Sequence, residues 1–308
     1  MVRKIASSFL LLALFATLAG AEESKSTISG FGFWVDNNVF GSEFGDLRFE
    51  QVWLTIEQTI IDTMAKDTTI AVMVLAPQGQ AKQVHDLRVH VLHPFSGMPW
   101  VSELIVGKHI PPFGREWPSI RVDRVGTVRY SGLSDSLVAR DNGFQLKTRL
   151  RSFNGSLALL LGDRIGGYAR ERDNTHRHFY FRGRYDLPYH VVAGASYRWS
   201  TLDHKPWALE LTREVKRSLC AFELLRVEDI TQWYVLVEHD VVRHTPIVGG
   251  RTRVVARFEK LRYGERTVIG CLLHPFKGIT IKVNCIDDRF KTRTEKKVLT
   301  QAIIHFSP

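Results

Sequence analysis

The sequence predicts an all-β fold, a transmembrane antiparallel β-barrel of about 16 strands. Three observations carry that expectation. Period-2 alternation of side-chain character, broken by turn residues, runs from one end of the chain to the other. Long helical periodicity is missing, and the many β-branched and aromatic residues suit strands. An apolar leader at the N-terminus marks the chain for export.

Residues 1–21 read as a cleaved secretory signal peptide. Arg3 and Lys4 give the positive start, residues 9–17 the apolar centre, and Ala19, Gly20 and Ala21 the small-residue cleavage site. The apolar run falls well short of the roughly 20 residues a membrane helix needs, and Glu22, Glu23 and Lys25 follow at once. Residues 22–308 then form one barrel, with no linker to divide them. Its candidate strands are 26–35, 47–61, 68–75, 84–92, 100–110, 143–151, 155–162, 177–185, 190–199, 206–214, 219–227, 231–239, 251–261, 266–273, 279–285 and 297–306. Later apolar runs such as 70–76 and 157–161 are strand-sized. Such a chain enters lipid as a closed sheet, because lipid cannot satisfy a free strand edge.

The two faces of the strands differ in the expected way. Phe144, Leu146, Thr148 and Leu150 oppose Gln145, Lys147, Arg149 and Arg151; Phe179, Phe181 and Tyr185 oppose His178, Tyr180, Arg182 and Arg184. Ala193, Ala195, Tyr197 and Trp199 oppose Val192, Gly194, Ser196 and Arg198, while Trp207, Leu209 and Leu211 oppose Ala208, Glu210 and Thr212. Trp34, Trp53, Trp100, Trp199, Trp207 and Trp233 lie mostly near strand ends, where an interfacial girdle belongs. A soluble sandwich also alternates; strand number, export and lack of helix favour the barrel. The last strand closes on Phe306, followed by Ser307 and Pro308, much as chains inserted into the bacterial outer membrane commonly finish.

Short turns are expected at 93–97, 152–154, 186–189 and 274–278, and long connections at 36–46, 111–142, 163–176 and 286–296. A Leu-His-Pro-Phe-x-Gly echo begins at Leu92 and at Leu273, explained by shared turn chemistry. An even strand count puts both termini and all tight turns at a periplasmic end and the long loops outside. The longest, 111–142, is then the third external loop and a candidate constriction, since loops of that length usually serve function.

The 42 Lys and Arg, less Arg3 and Lys4 of the leader, stand against 32 Asp and Glu, a net charge of +8. That points to anionic partners: small anionic solutes, or lipopolysaccharide phosphates in an outer membrane. Export sets nucleic acid aside. Lys108, Arg115, Arg121, Arg124, Arg129 and Arg140 lie in or beside the long loop. Lys147, Arg149, Arg151, Arg182, Arg184 and Arg198, with Arg88 and Lys282, fall on the polar face. Fixed cations along a narrow aqueous path lower the barrier for anions. Against this, Glu103, Glu210, Glu238 and Glu259 stand to pair with wall arginines and cancel their field. Cys220, Cys271 and Cys285 cannot all pair, and Cys271 and Cys285 are expected on opposite faces. The histidines converge on no metal site, no G-x-S-x-G nucleophile motif is present, and neither enzyme activity nor a cofactor is expected.

The loop entrance carries Gly107, Lys108, Pro112, Phe113, Gly114 and Glu116 in order. It is followed by Arg140, Asp141, Asn142 and Gly143 at the return into the sixth strand. With the preceding hairpin turn Pro94, Phe95, Ser96 and Gly97, residues 47–162 resemble the phosphate-selective porin O and P family. The resemblance implies a sixteen-stranded, trimeric outer-membrane channel that passes small anionic solutes. The chain departs from that family in being short, and the ordered run of lysines and arginines behind phosphate selectivity is not identifiable. The alternative function is an exported non-channel β-protein, a periplasmic or surface binding scaffold, which fractionation would separate from an outer-membrane channel.

Overall fold

A computed structural model describes the backbone of residues 23–39, 48–61, 68–77, 83–95, 97–115, 141–161, 177–200, 205–241, 252–276, 279–291 and 293–306, and side chains within 88–304. Sixteen strands follow in chain order: β1 Glu23–Val39, β2 Arg48–Ile61, β3 Thr68–Pro77, β4 Gln83–Leu92, β5 Val101–His109, β6 Asp141–Leu150, β7 Phe153–Leu160 and β8 His178–Leu187. They continue as β9 Val191–Ser200, β10 Trp207–Val215, β11 Ser218–Val227, β12 Ile230–Val241, β13 Thr252–Leu261, β14 Gly264–Phe276, β15 Ile279–Phe290 and β16 Arg293–Phe306. Each strand pairs antiparallel with its neighbours in sequence, and β1 pairs with β16 from Gly30↔Phe306 to Val39↔Lys297. The sheet therefore closes into a barrel with no free edge.

Alternation fixes which side of each strand faces the lumen. On β9, Ala195, Tyr197 and Trp199 are exposed while Ser196, Arg198 and Ser200 are buried. On β10, Leu209 and Leu211 are exposed and Ala208 and Glu210 buried. β6 and β8 show the same division, as the side-chain pattern requires. This is the reverse of a soluble sandwich: large apolar residues cover the outside, and charge is buried inside. A one-residue slip of any strand would exchange the two sets, so the pattern holds the register.

The interior is not uniformly polar. Ala158, Leu160, Tyr180, Ala208, Ala221, Leu225, Tyr234, Leu236 and Val255, inward-facing on β7, β8 and β10 to β13, form an apolar cluster around Phe113. Beside it, inward Lys282, Asn284 and Gln301 of β15 and β16 are also buried.

Three expectations need correction. Residues 286–296 are the ends of β15 and β16, joined at 291–292, and not a long loop. Their run of charges reads as loop in sequence, but Asp288 is held by Arg266 and Lys297, so the hairpin tolerates it. Tight turns are not confined to one end of the barrel. The connections 228–229, 262–263 and 291–292 share the end that carries 110–140, whereas 242–251 joins β12 to β13 at the opposite end. Cys271 opposes Val283 and Cys285 opposes Ile269, which puts both on the outward face with Cys220; all three thiols are free. A register two residues off the pair keeps Cys271 and Cys285 apart.

Candidate pore and constriction

β5 delivers the chain into the barrel. Residues 110–114 are buried, and Phe113 packs edge-on against Tyr180 of β8, ring centroids 6.3 Å apart. The Gly114 amide donates to Ser196 Oγ of β9 at 3.1 Å, and the Arg115 amide donates to Glu223 Oε1 of β11 at 3.1 Å. Tyr180, Ser196 and Glu223 all face inward, so the segment crosses from β5 to the β8–β11 wall inside the barrel. Gly114 is required twice. Its φ is +65°, a left-handed value, and a Cβ there would sit 2.3 Å from Glu223 Oε1. Pro111 and Pro112 have no amide hydrogen to satisfy, which suits a buried crossing.

The wall charges are organised as shared pairs. Arg182 Nη2 donates to both Glu210 oxygens at 2.9 Å, and Arg184 Nε lies 3.1 Å from Glu210 Oε1. The Glu210 side chain is 4% exposed and that of Arg184 38%. Asp186 and Arg115 also act on Arg184, so the cluster balances more than one carboxylate against its guanidiniums. On β12 and β13, Arg253 lies 2.8 Å from Asp240 and 3.0 Å from Glu238. Lys147 pairs with Glu103 at 2.7 Å, with His90 on the other Glu103 oxygen. Arg257 pairs with Glu259 at 2.6 Å. Glu210, Glu238 and Glu259 thus pair with wall arginines as expected, whereas Glu103 takes Lys147 and His90 instead.

The positions nominated from sequence divide accordingly. Arg115, Arg182 and Arg184 meet around one cavity. Arg198 is buried on the inward face of β9, and Lys147 and Arg149 stand on the inward side of β6. Lys108 opposes Asn142 and shares its face with Leu104 and Val106, outward from the lumen. Arg151 lies in the β6–β7 turn with φ +49°, where the strand has ended. Arg121, Arg124, Arg129 and Arg140 lie outside the described residues, as do residues 1–21, where the sequence predicts a signal peptide. Ser196, Glu223 and Tyr180, which anchor the crossing, went unnominated as a set. Nothing in the spacing of one strand reveals what a distant loop will dock on.

Beneath the crossing, toward the β8–β9 and β10–β11 turns, lies a cavity of about 950 Å³. Arg115, Arg182, Arg184, Lys216 and Arg253 reach it, as do Asp186, Glu214 and Glu238, and Val192, Leu219 and Leu236 give it an apolar wall. Among the described residues no group of three or more His, Cys, Asp and Glu side chains is placed to hold a metal ion.

A closed sixteen-strand barrel with residues 110–115 crossing its lumen can be set beside known structures. A mutant of the Rh. blastica porin superposes with a TM-score of 0.64 at 12% identity, over 92% of this chain and 100% of that one. OmpT with loop L8 deleted, an outer membrane protein of Vibrio cholerae, also gives 0.64, at 8% identity over 92% and 99%. This chain has a porin fold. The identities are too low to carry more than the fold. In sequence, no family model and no curated protein matches the chain.

Proposed function

We propose that the chain is a bacterial outer-membrane porin, a passive water-filled channel for small solutes with a preference for anions. On this reading it is exported through a cleaved signal peptide at 1–21, and its outward apolar belt contacts lipid. It assembles as a homotrimer. The observation that carries the channel is the inversion of faces around a closed barrel, with 110–115 crossing the lumen as a constriction. Apolar surface on the outside of a closed sheet is stable in lipid, and charge on the inside needs water.

Anion preference is supported by the net charge and by the meeting of Arg115, Arg182 and Arg184 at the constriction. A solute passing there meets a local excess of positive charge. The resemblance of 47–162 to the phosphate-selective porin O and P family agrees, and makes phosphate-like anions admissible solutes. The wall pairs weaken this preference, so a modest selectivity is expected.

Planar-bilayer recording of the purified protein tests both levels. Stepwise conductance in KCl is expected, with a reversal potential in a salt gradient of the sign set by chloride. Cation preference would remove the anion reading while leaving the pore. Recovery of the protein wholly in the soluble periplasm, with no conductance steps, would remove the pore as well.

A further inference from the structure

We propose that the cavity beneath the crossing segment binds small amphipathic monoanions, aromatic or branched-chain carboxylates, in preference to inorganic phosphate. This rests on the channel reading and names the class of solute it serves. The cavity's size, about 950 Å³, is that of an organic-ligand site and far exceeds what a phosphate ion fills.

The polar lining supplies the charge. Arg115, Arg182, Arg184, Lys216 and Arg253 line the cavity against the carboxylates of Asp186, Glu214 and Glu238, with Glu210 behind Arg182 and Arg184. Cations outnumber carboxylates in that lining, and each guanidinium carries five N–H donors. The surplus favours an incoming carboxylate, and a planar fork suits it. The floor supplies the opposite chemistry: Val192, Leu219 and Leu236 face the same space and have nothing to offer an inorganic ion.

Two further features set the ligand's class. The lining also carries carboxylates: Glu238, paired with Arg253, and Glu214 and Asp186. They repel the second charge of a dianion, while a monoanion with a hydrocarbon tail lies along the apolar wall without that penalty. At the mouth, Tyr189 and His190 hold consecutive left-handed backbone conformations, with φ of +61° and +59°. Positive φ is the ordinary geometry of tight hairpin turns, and Arg151, Lys216 and Glu228 share it in theirs. Here the turn sets the Tyr189 ring, 81% exposed, at the cavity rim.

The test uses the detergent-purified full chain with benzoate, acetate and inorganic phosphate as probes, by calorimetric titration and by block of KCl conductance in bilayers. Benzoate is expected to bind at least about fivefold more tightly than either other anion, and to block best from the face that carries the β8–β9 turn. Arg184→Ala should weaken benzoate about tenfold, the cost of losing one charge-assisted pair. Tyr189→Gly removes the ring at a position whose φ favours glycine, so it folds, and should weaken benzoate about threefold. Equal affinity for benzoate and phosphate, or benzoate binding unmoved by both variants, overturns the proposal. Conductance steps with no benzoate binding overturn the site and leave the channel. Benzoate binding without conductance upholds the site and overturns the channel.

Discussion

Gly114 shows what a single position can be made to carry. An alanine there meets both the left-handed φ and the Glu223 carboxylate, a combined cost of about 1–3 kcal/mol. Gly114→Ala should therefore free the crossing segment and raise single-channel conductance; unchanged conductance would show that the segment does not narrow the path. In a Glu223→Ala background the clash is gone, and the second substitution should cost less, as a double-mutant cycle would measure. Glu210→Gln removes a negative member of the Arg182 and Arg184 cluster. Stability should fall by about 2 kcal/mol, less than for a fully buried pair because Arg184 is more than a third exposed. Reversal potentials should move toward anions; a shift toward cations would contradict the placement of that cluster in the path. The sequence pointed at Arg182 and Arg184 because a strand's period places them together. It did not reveal that one glutamate serves both, since Glu210 lies two strands away and partner choice is a property of closure.

Strands were legible because their two faces need different solvents. The outward faces of β6, β8, β9 and β10 follow from alternation alone. Leu209→Arg, on the outer face of β10, should cost about 2–4 kcal/mol in urea-dependent folding into vesicles. Thr212→Lys, on the inward face of the same strand, should cost under about 1 kcal/mol. Equal effects would mean that β10 does not separate lipid from lumen. The ends of β15 and β16 were misread for a physical reason. Charges such as Asp288 and Lys297 look like solvated loop until their cross-strand partners are known, and pairing is invisible in a single run of sequence. Lys108 escaped the reading similarly: the φ of Gly107, +118°, and the register to Asn142 set its side.

The whole barrel makes a prediction that no strand makes alone. Cys220, Val237, Ala256, Ile269, Cys285 and Val298 are successive cross-strand partners, an outward row from β11 to β16. In vesicles a charged, membrane-impermeant maleimide should label neither Cys220 nor Cys285, and urea should expose both. Rapid labelling of the folded protein would show that this row faces water. Fold class and strand number were readable because closure demands an even alternation throughout. The distribution of connections between the two ends was not, because turn residues mark where a chain reverses and not which rim it reverses at.

That distribution has a kinetic consequence. The connections 216–217, 228–229, 262–263 and 291–292 each join adjacent strands within a couple of residues, so β10–β11, β11–β12, β13–β14 and β15–β16 are contacts of minimal sequence separation. Short closures form in microseconds at small entropic cost, whereas the Gly30↔Phe306 pairing must wait for nearly the full chain. Together with β6–β7, joined at 151–152, these hairpins are built to zip first, and the remaining strands add to them. Lengthening the β15–β16 turn with flexible residues should slow assembly into vesicles while leaving the finished barrel intact. The seam between first and last strands is the final event.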